Sequence, residues 1–438
     1  MFLEPRRRTL SSKIFFAVNS ILILLLIMRV AVSVYSTAGI GWDFPNYYRV
    51  GTIMFQGPKE HLYHTDAITL ASGGSIVGFP ISSYVFAPLG SMAPRDALLV
   101  FKAQAALLFA LALFLLYQPF RNVSKEFVHK ATILPTFLVI CLFYEPFWFV
   151  FAVGGQSTPL GLLFFVLFHR FYVQGDKLWA ALFLSIAILL KPFLVPAVLI
   201  FVIAKDFRLL MNLMGWLIFA GGASVLVLGW SLHLEWLEQV RKIALQQLPP
   251  WWNNSSIWSL FYSISSVAQG GTLEAPERMN GWLTAIAAFR VLIVAWMFKL
   301  VHDVKTLNIE TQQLRHQLVS LSILFALFFS DIIWPHYLAF LFIPLVFLIA
   351  SRTQLSRYSN LLGWLIFLST LAVQSRFIQK FVLALLMEYP MTQALVAGLF
   401  GGGTLVLVLI LLIFHHGDII RSQRESNLFL PNAWAKLK

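Results

Sequence analysis

The chain holds one cysteine in 438 residues. A lone thiol, Cys141, excludes an internal disulfide and any thiolate metal cluster. Charge is scarce as well: 12% of residues are Asp, Glu, Lys or Arg, against roughly 25% in a soluble globular chain. Acids are the scarcer sign, 19 against 32 bases, for a net charge of +13. The bases form no long run and scatter through short connections, so the excess reads as a topology signal and nucleic acid is not an expected partner. Nucleotide motifs are missing too. Without a Walker loop, a dinucleotide fingerprint, HExxH or GxSxG, soluble nucleotide chemistry has no visible home. No internal repeat or low-complexity tail divides the chain.

What is abundant is apolar length. The composition is 59% hydrophobic and the mean hydropathy is +0.79. Apolar runs of about 18 residues or more recur from end to end, and the alternating pattern of a membrane barrel is absent. The expected fold is an all-α polytopic transmembrane bundle, one integral-membrane domain over 1–438. About twelve spans are expected: 14–36, 97–117, 131–151, 157–173, 178–190, 192–204, 209–231, 281–301, 317–330, 337–350, 359–375 and 392–414. Several are short, above all the pair meeting at Lys191-Pro192, and broken helices of that kind line protein cavities. The first run follows Arg6-Arg7-Arg8 and reads as an uncleaved signal-anchor. With the N-terminus cytoplasmic, about 20 of the 32 basic residues fall on the cytoplasmic side. An even span count puts both termini there. Two connections are long, 37–96 and 232–280, and both are extracytoplasmic in this threading, together with most acids. Long loops on one side of a bundle are where function sits.

Five stretches on that face carry polar chemistry. In "GIGWDFPNYYRVG" (39–51), Asp43 stands between Trp42 and Phe44, with Tyr47 and Tyr48 a turn further on. Its distance from Pro45 suits a helix N-cap; its apolar neighbours suit a general base of raised pKa. In "SDIIWPHYLAF" (330–340), His336 is either structural or a partner for an anion or a proton, flanked by Trp334 and Tyr337 at headgroup level. "VGGQSTPL" (153–160) puts Gln156 and Ser157 in a tight turn or a weak anion site at a helix start. "ILLKPFLVP" (188–196) sets Lys191 at membrane depth, facing a cavity or snorkelling to the headgroups, with Pro192 breaking the helix. "LPPWWNNSSIWSLF" (248–261) offers Asn254 and Trp258, as a sugar-stacking surface or as a loop anchored on the membrane. Arg29, Lys102 and Glu145 are further charges near outer span ends.

The order "WDFPNYY", "GGQSTPL", "ILLKPFLVP", "NNSSIWSLF", "IIWPHYLAF" resembles glycosyltransferase family 87, polytopic GT-C enzymes that include polyprenol-phosphate-mannose-dependent mannosyltransferases. The resemblance runs from about residue 40 to 350. It implies an inverting transfer of a hexose, mannose first, from a polyprenyl-phosphate donor to a hydroxyl of a lipid or glycan acceptor, on the outer face of a bacterial plasma membrane. It implies Asp43 as the base and His336 at the donor phosphate. We place Lys191, Gln156 and Ser157 at that phosphate as well, and Trp42, Tyr47, Tyr48, Asn254, Trp258, Trp334 and Tyr337 along the substrate. Neither metal nor cofactor is expected. Where the family often has a serine–proline pair, this chain reads Ser330-Asp331. The competing expectation is a transporter or lipid flippase, for which broken helices and in-membrane charges are equally natural.

Overall fold

The computed structural model describes residues 4–35, 43–63, 78–123, 130–152, 156–245, 256, 258, 282–306, 311–330, 333–351, 381–382 and 384–385. Trp42, Asn254, Asp331 and the expected spans 359–375 and 392–414 lie outside them. Among the described residues every element is helical and none is a strand. The α-helices are α1 Glu4–Tyr35, α2 Phe44–Gln56, α3 Pro94–Val123, α4 Lys130–Phe143, α5 Glu145–Ala152, α6 Thr158–Gln174 and α7 Lys177–Leu190. They continue with α8 Val198–Ile203, α9 Phe207–Leu228, α10 Trp230–Leu245, α11 Trp282–Thr306, α12 Thr311–Phe329 and α13 Phe342–Ser351. Four 3-10 segments interrupt them, at Lys59–His61, Pro80–Ser91, Pro192–Ala197 and Pro335–Leu341.

Three described helices are long and apolar enough to cross a membrane, over Phe16–Tyr35, Pro94–Gln118 and Phe207–Leu228, with four shorter apolar helices beside them. Their outward faces are apolar: Phe16 is 74% exposed, Met211 73% and Leu226 88%. Such a surface aggregates in water and is the ordinary outside of a protein solvated by lipid. This is an integral membrane protein.

Prolines decide where the helices break. The expected span 131–151 is two helices, because Pro146 has no N–H for the carbonyl four residues back, Leu142. That carbonyl accepts instead from the Arg29 guanidinium of α1 and from Trp148 Nε1 at 3.0 Å. The guanidinium lies 4.3 Å from the Trp148 ring centre. Arg29 is thus a cap for a broken helix. The pair of short spans is a hairpin. Helix α7 climbs 14 residues, about 21 Å at 1.5 Å per residue. Lys191 then leaves helical geometry (φ −137°, ψ 81°) ahead of Pro192, and the chain descends through Pro192–Ala197 and α8. At the foot, Asp206 takes Lys177 and Tyr172 Oη at 2.9 Å, and Lys305 Nζ donates to the Ala204 carbonyl at 2.6 Å. Lys191 is the apex.

Within the connection 37–96, the described residues 43–63 and 78–96 are largely helical. Helix α2 puts Phe44, Val50 and Met54 on one buried face, and these join Leu62, Phe86, Leu89, Ala97, Leu98, Phe101 and Leu232 in a small core of their own. The partner that matters is Pro80–Ser91. A Cβ on Gly51 would meet the Phe86 carbonyl oxygen at 2.3 Å, and one on Gly90 would meet the Gly51 carbonyl oxygen at 2.3 Å. Two backbones touch there because neither residue has a side chain. This contact fixes α2, and with it Asp43, against the bundle.

Gly51→Ala is expected to force these backbones apart at a cost of about 1–3 kcal/mol. Thermal unfolding in detergent should show a lowered midpoint. An unchanged midpoint would mean that α2 does not depend on this contact.

Candidate active site

Asp43 immediately precedes α2, yet its carboxylate makes no capping hydrogen bond. Only its backbone carbonyl serves the helix, accepting from the N–H of Asn46 at 3.1 Å and of Tyr47 at 3.4 Å. The carboxylate turns the other way and takes a hydrogen bond on Oδ2 from Gln156 Nε2, 113 residues along the chain. Burial pushes its pKa up to about 6, and the charge of Lys191 pulls in the opposite direction. The side chain that spacing favours as a cap is therefore free for chemistry.

Around it stand residues from four places in the fold. Tyr47, on α2, donates from Oη to Gln156 Oε1 at 3.2 Å and accepts from Ser157 Oγ at 3.1 Å. Its ring packs 4.7 Å from Phe86 and 5.5 Å from Phe101. Gln156 and Ser157 lead into α6 and are buried. Thr158, fully buried beside them, has no partner for its Oγ1 among the described residues.

Lys191 comes from the hairpin apex and is 5% exposed. Its Nζ lies 5.2 Å from the Tyr337 ring centre and makes no hydrogen bond or ion pair among the described residues. Gly161 makes room for its stem: a Cβ there would meet Lys191 Cγ at 2.8 Å. Tyr337 is stacked on Phe193 at 4.4 Å, with the planes 12° apart. His336 is buried, stacked on Phe149 and edge-on to Tyr337, and its Nδ1 has no partner among the described residues. The segment carrying it is tied to the α4–α5 break by Tyr144 Oη, which donates to the Leu338 carbonyl at 2.6 Å.

Of the residues singled out in the sequence, the structure thus gathers Asp43, Tyr47, Gln156, Ser157, Lys191, His336 and Tyr337. Others are engaged elsewhere. Tyr48 donates to the Met92 carbonyl at 2.9 Å and pins α2 to the start of α3. Trp334 sits at the head of Pro335–Leu341, its carbonyl accepting from Tyr337 N–H at 2.8 Å. Trp258 is fully buried; its Nε1 donates to the Phe328 carbonyl at 3.0 Å, under the Arg290 guanidinium 4.7 Å away. It closes the end of α12, with its ring edge-on to Phe289. Gly161, Thr158, Phe149 and Phe193 belong to the site and were not singled out. Gly161 lies four residues past Ser157, one helical turn, and was the one with a readable signal.

A carboxylate with a raised pKa, a buried ammonium and an imidazole nitrogen without a partner meet here at one end of the bundle. Opposite signs are held close without being joined. That arrangement can take a proton on one side and hold an anionic group on the other.

The sequence matches the profile of glycosyltransferase family 87 over residues 80–330. The stretch includes Gln156, Ser157 and Lys191; Asp43 and His336 flank it. No curated protein and no solved structure gives a significant match. The family is one of enzymes, which decides against the transporter reading. Matched over more than half of its length, the chain belongs to glycosyltransferase family 87.

Proposed function

We propose that this membrane glycosyltransferase is an inverting hexosyltransferase, with mannose as the first candidate sugar. The donor is a polyprenyl-phosphate sugar, and the acceptor is a hydroxyl of a lipid or glycan. The reaction takes place on the extracytoplasmic face of a bacterial plasma membrane, with both termini cytoplasmic. The observation that carries the proposal is the Asp43–Lys191–His336 grouping: a half-buried carboxylate beside a buried ammonium and a buried imidazole in a lipid-surrounded bundle.

In the reaction Asp43 removes the acceptor's hydroxyl proton as the oxygen attacks the anomeric carbon. The bond from that carbon to the phosphate oxygen breaks, and the electron pair leaves with polyprenyl phosphate. The charge moves onto a group that Lys191 stabilises by charge and His336 by hydrogen bonding, in surroundings where such contacts are stronger than in water. Burial of Asp43 makes its carboxylate a better base than an exposed one. Tyr337, stacked on Phe193, presents a fixed face beside Lys191 and suits a sugar ring.

The test is to incubate purified protein with a panel of polyprenyl-phosphate sugars and follow release of polyprenyl phosphate. Asp43→Asn is expected to lower turnover by about 10²- to 10⁴-fold while donor binding persists. Retained turnover in a folded variant excludes the base. Since only ionised Asp43 accepts a proton, kcat/KM should be low in acid and rise with pH through about 6. A limb near the ordinary carboxylate value of 3.8 would contradict the buried base. Lys191→Ala and His336→Ala should each weaken donor binding, and unchanged affinity in both would remove the phosphate site.

A further inference from the structure

We infer that Gln156 is a positioning residue for Asp43, holding one carboxylate oxygen so that the other, Oδ1, receives the acceptor's proton. This replaces the sequence expectation that Gln156 binds the donor phosphate, and it rests on Asp43 being the base.

The geometry is directional. Gln156 Nε2 donates to Asp43 Oδ2, Tyr47 Oη donates to Gln156 Oε1, and Ser157 Oγ donates to Tyr47 Oη. A flipped amide would set its oxygen against the carboxylate and its N–H groups against a phenol that is itself a donor, so the network admits one orientation. Tyr47 stays a donor because burial, reinforced by the Asp43 charge, holds its phenol above its ordinary pKa. The chain of donors starts at the α6 entrance and ends on the base. Each member is locked: Gln156 is 3% exposed, and the Tyr47 ring is packed against both Phe86 and Phe101. A phosphate ligand needs free N–H groups. Gln156 has its carbonyl and one N–H committed to the base and to the residue that orients it.

An unrestrained carboxylate presents either oxygen and loses part of its time in unproductive orientations. One bond to Oδ2 removes that freedom and also favours the ionised form. The groups facing Asp43 are Tyr47 on α2, Lys191 at the hairpin apex and Tyr337 on Pro335–Leu341. Of these Lys191 supplies the positive charge, while Gln156, bonded to Oδ2, supplies the fixed geometry.

Two measurements on Gln156→Ala test this. The first is turnover of polyprenyl-phosphate mannose against pH. The second is titration of the Asp43 carboxyl stretch by infrared difference spectroscopy, assigned by its loss in Asp43→Asn, which needs no turnover. Loss of a charge-assisted bond should raise the Asp43 midpoint by about one pH unit and lower kcat about tenfold, with donor KM changed by less than about twofold. A raised donor KM with an unmoved midpoint makes Gln156 a phosphate ligand and overturns the inference. If Gln156→Ala does not fold, Tyr47→Phe keeps the ring packing and removes the hydroxyl that orients the amide. It should shift the midpoint in the same direction by less, and no shift in either variant overturns the inference. Turnover retained in Asp43→Asn would instead reject the base while leaving the infrared shift intact, so the two failures are distinguishable.

Discussion

A carbonyl that loses its helical partner inside a lipid-solvated bundle has no water to turn to, and its donor must come from the protein. That constraint organises this fold. Pro146 frees Leu142, and Arg29 and Trp148 answer it. The end of α12 exposes Phe328 and Phe329, and Trp258 and Arg290 close them. Tyr144 takes the Leu338 carbonyl inside the 3-10 segment that carries His336, and Phe79 N–H takes that of Leu189 beside the hairpin apex. Apart from Trp148, each donor comes from a distant part of the chain, so every repaired break is also a tertiary tie. Two of them, the α4–α5 break and the hairpin apex, adjoin the place where Asp43, Lys191 and His336 come together. Irregular backbone is what lets side chains from several helices converge, and the repairs are what keep them there.

Within that frame the charges follow a second rule. A charge in a low-dielectric interior is expensive unless something nearby favours it. Asp43 and Lys191 are close enough to feel each other but no ion pair joins them among the described residues. A tight pair would neutralise both and leave neither for substrate. At the far end of α6 the opposite choice is made: Lys177 and Asp206 are directly bonded, with Tyr172 on the same carboxylate. The two ends of the bundle thus hold a bonded charge pair and an unbonded one in one molecule.

Local pattern carried much of this. Apolar length announced the helices, Pro192 announced the break at Lys191, and the five polar stretches of one face supplied most of the residues that meet around Asp43. What local pattern could not carry was set by contacts far along the chain. Spacing to Pro45 favours Asp43 as a cap, and the reason it is none is Gln156, 113 residues away. Nothing local to Trp258 tells that its indole closes α12, 70 residues further on. Arg29 resembles a stray in-membrane charge until Leu142 is found without its helical partner. The long first connection hides a helix whose anchoring depends on two glycines 39 positions apart, Gly51 and Gly90, which are unremarkable separately. Sequence periodicity reports which face is apolar, not which distant backbone lies upon it.

The hairpin apex has a bearing on the bilayer itself. Its rise of about 21 Å is shorter than the roughly 30 Å hydrocarbon thickness of a typical membrane. With the foot of the hairpin at one membrane surface, a cation on so short a stalk stops short of the opposite headgroups unless the bilayer thins to meet it. Acyl-chain length in the host membrane then becomes a variable that acts on this protein through hydrophobic mismatch, independently of any contact with the sugar.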